Sequence, residues 1–165
     1  MARARVLLAD DHEAILETVT RLLGVDFDVV GAVENGELAV QAAASLDPDV
    51  VVLDISMPVM NGIKAASRLK KSGSRAKLIF LTAQTHQDFV TAAFSAGALG
   101  YVLKPRLGTE LIPAIREALE GRIFASPTLG MDETAGIRVP ADAPDAEREP
   151  PRRAEVCPEE RMPIA

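Results

Sequence analysis

Several things are scarce in this 165-residue chain, and each scarcity narrows what it can be. There is one cysteine, Cys157, so no disulfide can form within the chain, which fits a reducing cytosol. No segment approaches the ~20 apolar residues of a membrane span. The opening MARARVLLADD carries two arginines, but its apolar stretch is too short for a signal-peptide core and ends in acids. The expected location is therefore the cytoplasm, with no membrane partner. Basic residues are the minority, 18 Lys and Arg against 24 Asp and Glu, for a net charge of −6. That weighs against an extended nucleic-acid footprint but leaves room for a small basic patch.

What is present is a globular chain with an abrupt end to its apolar texture. Residues AVILMFWYC make up 48% of it, enough to build one real core. Composition shifts near Ser126. Beyond it lie seven of the eleven prolines and no aromatic residue. PADAPDAEREPPRRAEVCPEE has neither helical nor strand period. Residues 1–126 are read as one domain, and 127–165 as a Pro-rich acidic tail expected to be disordered.

Within the domain, five short apolar runs predict strands: Arg5–Ala9, Phe27–Val33, Val50–Asp54, Lys77–Thr82 and Gly100–Lys104. Helical period fills the gaps. Ile15, Leu16, Val19, Leu22 and Leu23 share one face, closed by Gly24; Leu38, Ala42 and Leu46 mark a second helix, stopped before Pro48. Ile63, Ala66 and Leu69 mark a third; Phe89, Val90, Ala93 and Phe94 a fourth, closed by Gly97. Leu111, Ile112, Ile115 and Leu119 mark a fifth, closed by Gly121, with Pro113 expected in its first turn. Five βα units predict an α/β fold, a doubly wound five-stranded parallel sheet of flavodoxin-like order 2-1-3-4-5. Val50–Leu53 is apolar without alternation, as a strand covered on both faces should be.

Ligands of such sheets bind beyond the carboxyl ends of the strands. Those ends carry Asp10 and Asp11, Asp54, Thr82, and Lys104 followed by Pro105. Strands 1, 3, 4 and 5 are consecutive neighbours about 4.8 Å apart in this order, so all five side chains converge on one rim. Each has an ordinary alternative: Asp10 as a helix cap with Glu13, Asp54 as a loop residue, Thr82 as a strand β-branch, Lys104 reaching to solvent. Together they suit one chemistry. Three clustered carboxylates repel, and a hard divalent cation such as Mg²⁺ relieves this. Asp54 then stays ionised and can attack, taking a phosphoryl group as an aspartyl phosphate. Lys104, the Thr82 hydroxyl and nearby backbone N–H groups suit the oxygens of the transferring group.

With those residues in hand, the first 125 residues resemble the receiver domain of two-component response regulators. The matching motifs are LLADDHE, VVVLDISMPVMNG, LIFLTA and GYVLKPR, in the family's order and spacing. The resemblance implies a sensor histidine kinase or phosphotransfer protein as phosphoryl donor to Asp54. It implies Mg²⁺ held by Asp10, Asp11, Asp54 and the backbone carbonyl of Ser56, with Thr82 and Lys104 on the phosphoryl oxygens. Tyr101 matches the family's aromatic switch, paired with Thr82, and the Lys104–Pro105 peptide is expected to be cis. Ser56 and Gln84, two residues beyond Asp54 and Thr82, are expected to set the lifetime of the phosphoryl group. ADDHEAI and GRIFASP are similar to regulators that carry a LuxR-type helix-turn-helix output domain, but the tail is too short and Pro-rich to be one.

The expected activity is signalling rather than enzymatic turnover, although the chain would catalyse its own aspartyl phosphorylation and dephosphorylation. Output is expected through a protein partner, or a second copy, on residues 85–122, with no direct DNA binding. The alternative is a DNA-binding transcription regulator whose output domain is missing from this chain. A mononucleotide binder is disfavoured, because ADDHEA offers no Gly or Ser/Thr cluster to cradle phosphate. An aspartyl phosphatase would need an acid two residues after its nucleophile, where Ser56 stands.

Overall fold

The computed structural model describes residues 3–127. The tail at 127–165 and Cys157 lie outside the described residues but for Pro127. Strand β1 (Arg5–Ala9) leads to helix α1 (Glu13–Leu23), β2 (Asp28–Val33), α2 (Gly36–Leu46), β3 (Val50–Leu53) and α3 (Gly62–Lys71). Then come β4 (Lys77–Thr82), α4 (Gln87–Ser95), β5 (Gly100–Leu103), a 3₁₀ turn (Lys104–Arg106), α5 (Leu107–Leu119) and β6 (Phe124–Ala125). The sheet is parallel throughout, in the order β2-β1-β3-β4-β5-β6. The expected order 2-1-3-4-5 is present, with one short strand added at the β5 edge. Two residues are too few to show an alternation in sequence, and β6 exists only because β5 offers it an edge.

The sheet separates two apolar layers. Val51 and Leu53 of β3 face one layer, with Ala39 and Ala43 of α2, Ala65, Ala66 and Leu69 of α3, and Val90, Ala93 and Phe94 of α4. Val50 and Val52 face the other, with Val19 and Leu23 of α1 and Leu111, Ile115 and Ala118 of α5. Burial on both faces is why β3 reads as an unbroken apolar run.

Several expectations change in detail. Phe27 is not in β2; it is buried in the preceding turn, with the Arg116 guanidinium 5.8 Å above its ring. In α2, Ala39 and Ala43 face the sheet and Leu38 is 37% exposed. GELAVQAAASL is apolar nearly all round, so its period does not select a face. Pro113 lies mid-helix, because α5 begins at Leu107 directly after the 3₁₀ turn. Pro113 and Thr109, whose carbonyl its ring displaces from the helical ladder, are both exposed, so water can serve that carbonyl. The Lys104–Pro105 peptide is trans, the form that lets Lys104–Arg106 wind directly into the 3₁₀ turn. No described helix is long and apolar enough to cross a membrane.

Two glycines set how closely the helices approach the rim. A Cβ on Gly62 would stand 2.0 Å from the Asp54 carbonyl oxygen, and one on Gly36 would stand 2.3 Å from that of Met60. Asn35 and Asn61 cap the helices these glycines open, accepting from the Leu38 and Lys64 N–H groups, each at 2.8 Å. Between Asp54 and Asn61 the loop makes a three-residue turn closed by Met60 N–H to the Pro58 carbonyl. Its centre, Val59, takes φ +69°, a left-handed conformation uncommon for a β-branched residue.

Candidate phosphoacceptor site

Asp10 and Asp54 each follow the last residue of a buried strand, and both are 3% exposed. Their backbones continue the sheet, Asp10 N–H donating to the Val33 carbonyl and Asp54 N–H to the Ala9 carbonyl, both at 3.0 Å. The strands therefore aim both carboxylates at one point. Asp54 Oδ1 accepts from the Ile55 N–H at 2.7 Å, and Oδ2 from Lys104 Nζ at 3.1 Å. Asp10 Oδ1 accepts from the His12 N–H at 2.8 Å. Asp10 is thus not the cap of α1: His12 holds that position, without a side-chain capping bond.

Lys104 bridges the pair, its Nζ 2.8 Å from Asp10 Oδ2 and 3.1 Å from Asp54 Oδ2. Burial by itself lowers the affinity of this ammonium for its proton. Close contact with Asp10 and Asp54 outweighs that and holds the group above the usual lysine range. The Lys104 side chain lies on the rim between the two carboxylates, 14% exposed, rather than reaching out to solvent.

One cation is not enough for this cluster. Asp10 Oδ2 is buried and, for all its proximity to Lys104 Nζ, meets no donor in hydrogen-bond geometry. Asp11 is beside it, and ligand atoms of Asp10, Asp11, His12 and Asp54 all lie within 4.8 Å of one another. An orphaned carboxylate oxygen among hard oxygen donors fits Mg²⁺. Sequence reasoning missed His12. Its Nδ1 lies 3.0 Å from Asp10 Oδ1 and 3.2 Å from Asp11 Oδ1. Adjacency to the acid pair was the available signal.

The β4 and β5 side of the rim is a connected set. Thr82, 1% exposed, accepts through Oγ1 from the Gln84 N–H at 3.3 Å. Tyr101, fully buried, donates its hydroxyl to the Gln84 carbonyl at 2.7 Å. The ring lies 6.4 Å from those of Phe80 and Phe94. Burial first, and then the Asp54 charge, push the phenol's pKa well above the usual tyrosine value. The inward side chain needs no further turn to fill the space beside α4. Gln84 also donates from Nε2 to Ser56 Oγ at 3.0 Å, a bridge between the loops that follow β3 and β4.

Comparison with known proteins points the same way. A family model described as the response regulator receiver domain matches residues 6–116. The nitrate/nitrite response regulator NarL of Escherichia coli K12 is 34% identical over 137 residues, which cover 82% of this chain and 63% of NarL. The response regulator GacA of Pseudomonas viridiflava is 36% identical over 128 residues, covering 76% of this chain and 59% of GacA. The chain thus spans about three fifths of the length of these relatives. Among solved structures, a LuxR-family two-component response regulator from Aurantimonas sp. SI85-9A1 superposes with a TM-score of 0.76 at 30% identity. That match covers 82% of this chain and 99% of the other. The isolated receiver domain of RcsB from Salmonella enterica serovar Typhimurium, solved with a beryllofluoride phosphomimetic, gives 0.71 at 26% identity, covering 78% and 96%. The fold, the acid cluster at its rim and these likenesses agree: the chain belongs to the response regulator receiver domain family of two-component signalling.

Proposed function

We propose that this chain is a phosphorelay receiver that accepts a phosphoryl group on Asp54 from a sensor histidine kinase or a phosphotransfer protein. The observation that carries the reading is Asp54 itself: a buried carboxylate at a strand end, held by the Ile55 N–H and Lys104, with two further acids beside it. An Asp54 carboxylate oxygen forms the new bond to phosphorus while the donor's P–N bond breaks and its nitrogen keeps the electron pair. Lys104 and the Thr82 hydroxyl take the phosphoryl oxygens. Asp10, Asp11, Asp54 and the Ser56 backbone carbonyl would hold Mg²⁺. When bound, that ion supplies charge neutralisation between the carboxylates and the transferred group. The ordered Asp54 environment makes the chain catalyse its own modification without being an enzyme in the turnover sense.

Output follows from the Thr82–Gln84–Tyr101 set. A Thr82 hydroxyl drawn to the phosphoryl group leaves the Gln84 N–H, and Tyr101 reports the change through the Gln84 carbonyl. This biases a two-state loop beside α4 and alters the surface of residues 85–122, where a downstream protein or a second copy binds. Residues 1–126 form the receiver unit, and removal of the tail leaves phosphorylation intact.

The test is labelling by acetyl phosphate, a small donor that brings no catalytic groups of its own. Wild type labels in Mg²⁺ and not with a chelator, and Asp54→Asn does not label. Labelling that survives either change sinks the reading. Similarity to NarL and to LuxR-family regulators favours a second reading, in which this receiver serves a DNA-binding output domain. Retention of promoter fragments by the chain, dependent on phosphorylation, would support it.

A further inference from the structure

A buried acid outside the rim cluster is not used by the chemistry above. Glu110 on α5 is 6% exposed, and Ser126, just past β6, is 1% exposed. Glu110 Oε1 accepts from the Ser126 hydroxyl, and Oε2 accepts from Arg106 Nε at 2.9 Å. Ser126 Oγ in turn accepts from the Leu103 N–H at 3.0 Å. Leu103 precedes Lys104 in the chain, and Arg106 follows it by two. One carboxylate thus holds the Leu103 backbone, through Ser126, on one side of the rim lysine and the Arg106 side chain on the other. From these contacts we infer that Glu110, Ser126 and Arg106 are positioning residues for Lys104. This rests on the reading of Asp54 as phosphoacceptor.

The bonds run one way, which is what makes the grip effective. Leu103 N–H donates to a hydroxyl whose own proton goes to a carboxylate, and the carboxylate is balanced by the Arg106 guanidinium. Each donor polarises the next. The Leu103 N–H lies at the β5 edge, and β6 ends too soon to serve it with a backbone carbonyl. The Ser126 side chain takes that place. The Ser126 N–H meanwhile donates to the Tyr101 carbonyl at 2.9 Å. Tyr101 and Leu103, the residue before the rim lysine, are therefore tied to the same serine. Coupling is reciprocal: fixing Lys104 on a phosphoryl group must firm the attachment of β6, and loosening β6 must weaken the hold of Lys104.

The experiment uses the full chain and beryllofluoride as probe, with binding followed by ¹⁹F NMR and amide exchange by mass spectrometry. Ser126→Ala, Glu110→Gln and Arg106→Gln each weaken beryllofluoride binding about three- to tenfold, the equivalent of one lost buried hydrogen bond. Ser126→Thr, which keeps the hydroxyl, recovers most of that loss, a rescue that a packing role alone would not give. In wild type, beryllofluoride slows exchange at Leu103 and Ser126, and Glu110→Gln removes the slowing. Arg106 is half-exposed, so its variant stays informative if a buried variant misfolds. Wild-type affinity in all three variants, or no slowing in wild type, overturns the positioning role while Asp54 binding stands. A wild type that binds no beryllofluoride, or an Asp54→Asn that binds it equally, overturns the phosphoacceptor reading and this inference with it.

Discussion

Replacing Lys104 with methionine tests the electrostatics of the rim most directly. The side chain keeps its length and apolar stem but loses the ammonium that lies 2.8 Å from Asp10 and 3.1 Å from Asp54. Both carboxylates stay buried, at 5% and 4% side-chain exposure, and Asp10 Oδ2 already lacks a hydrogen-bond donor. Removing one partner of a buried ion pair costs about 3–5 kcal/mol. The low end applies here, about 3 kcal/mol, because the site opens to solvent at Asp11 and His12. That loss should lower the melting temperature by roughly 10 °C for a domain of this size. The pH dependence has a fixed sign. Lys104 holds its proton more tightly folded than unfolded, so its stabilisation is whole below the unfolded lysine pKa of about 10.4. It is lost as pH rises through the higher folded value. From neutral pH upward, the gap between wild type and Lys104→Met should therefore be level to about pH 10.4 and close above it. Urea melts at several pH values measure it. Magnesium gives a second check: the variant, with more unbalanced charge, should gain more stability from added Mg²⁺ than wild type does. Equal urea midpoints at neutral pH, or a gap that closes between neutral pH and about pH 9, below the lysine range, would refute the account of Lys104 as the cation that holds the carboxylates together.

Four further outcomes are expected. Gln84→Ala removes the bridge to Ser56 Oγ and should change the dephosphorylation rate several-fold, read as loss of label after donor removal; an unchanged rate in both Gln84→Ala and Ser56→Ala would place the water's route elsewhere. Val59→Gly should stabilise the domain by about 0.5–1 kcal/mol, since Val59 is 74% exposed at φ +69° and has strain but little contact to lose; a lower urea midpoint in the variant would count against that. Tyr101→Phe removes the bond to the Gln84 carbonyl and should cost about 1 kcal/mol, with faster amide exchange confined to residues 83–87. By fluorescence anisotropy at physiological salt, the chain should show no sequence-selective binding of genomic DNA fragments, phosphorylated or not, and nanomolar sequence-selective binding would favour the transcription-regulator alternative.

Much of this was legible in the order of residues. A parallel βα chain repeats one local rule, a buried apolar strand followed by an amphipathic helix, and each strand advertises itself by its apolar run. Because all strands of such a sheet point the same way, whatever ends them must share a rim. Asp10, Asp54, Thr82 and Lys104 could be gathered from that argument alone, before any contact was known. Where local signals are weak, the sequence is ambiguous. The apolar face of α2 was ambiguous because alanine dominates it, and Pro113 was misplaced because α5 gains an extra turn from the 3₁₀ segment before it. Tertiary structure alone decided the rest. That one ammonium serves both Asp10 and Asp54, that Tyr101 lies inward on the Gln84 carbonyl, and that Glu110 meets Ser126 all depend on rotamers and on contacts across many residues of chain. β6 is the clearest case. Two residues carry no period, and the Ser126 hydroxyl has no reason in its own sequence to be buried. Both are settled by the open edge of β5, which presents unpaired N–H and C=O groups that must find partners once water is excluded.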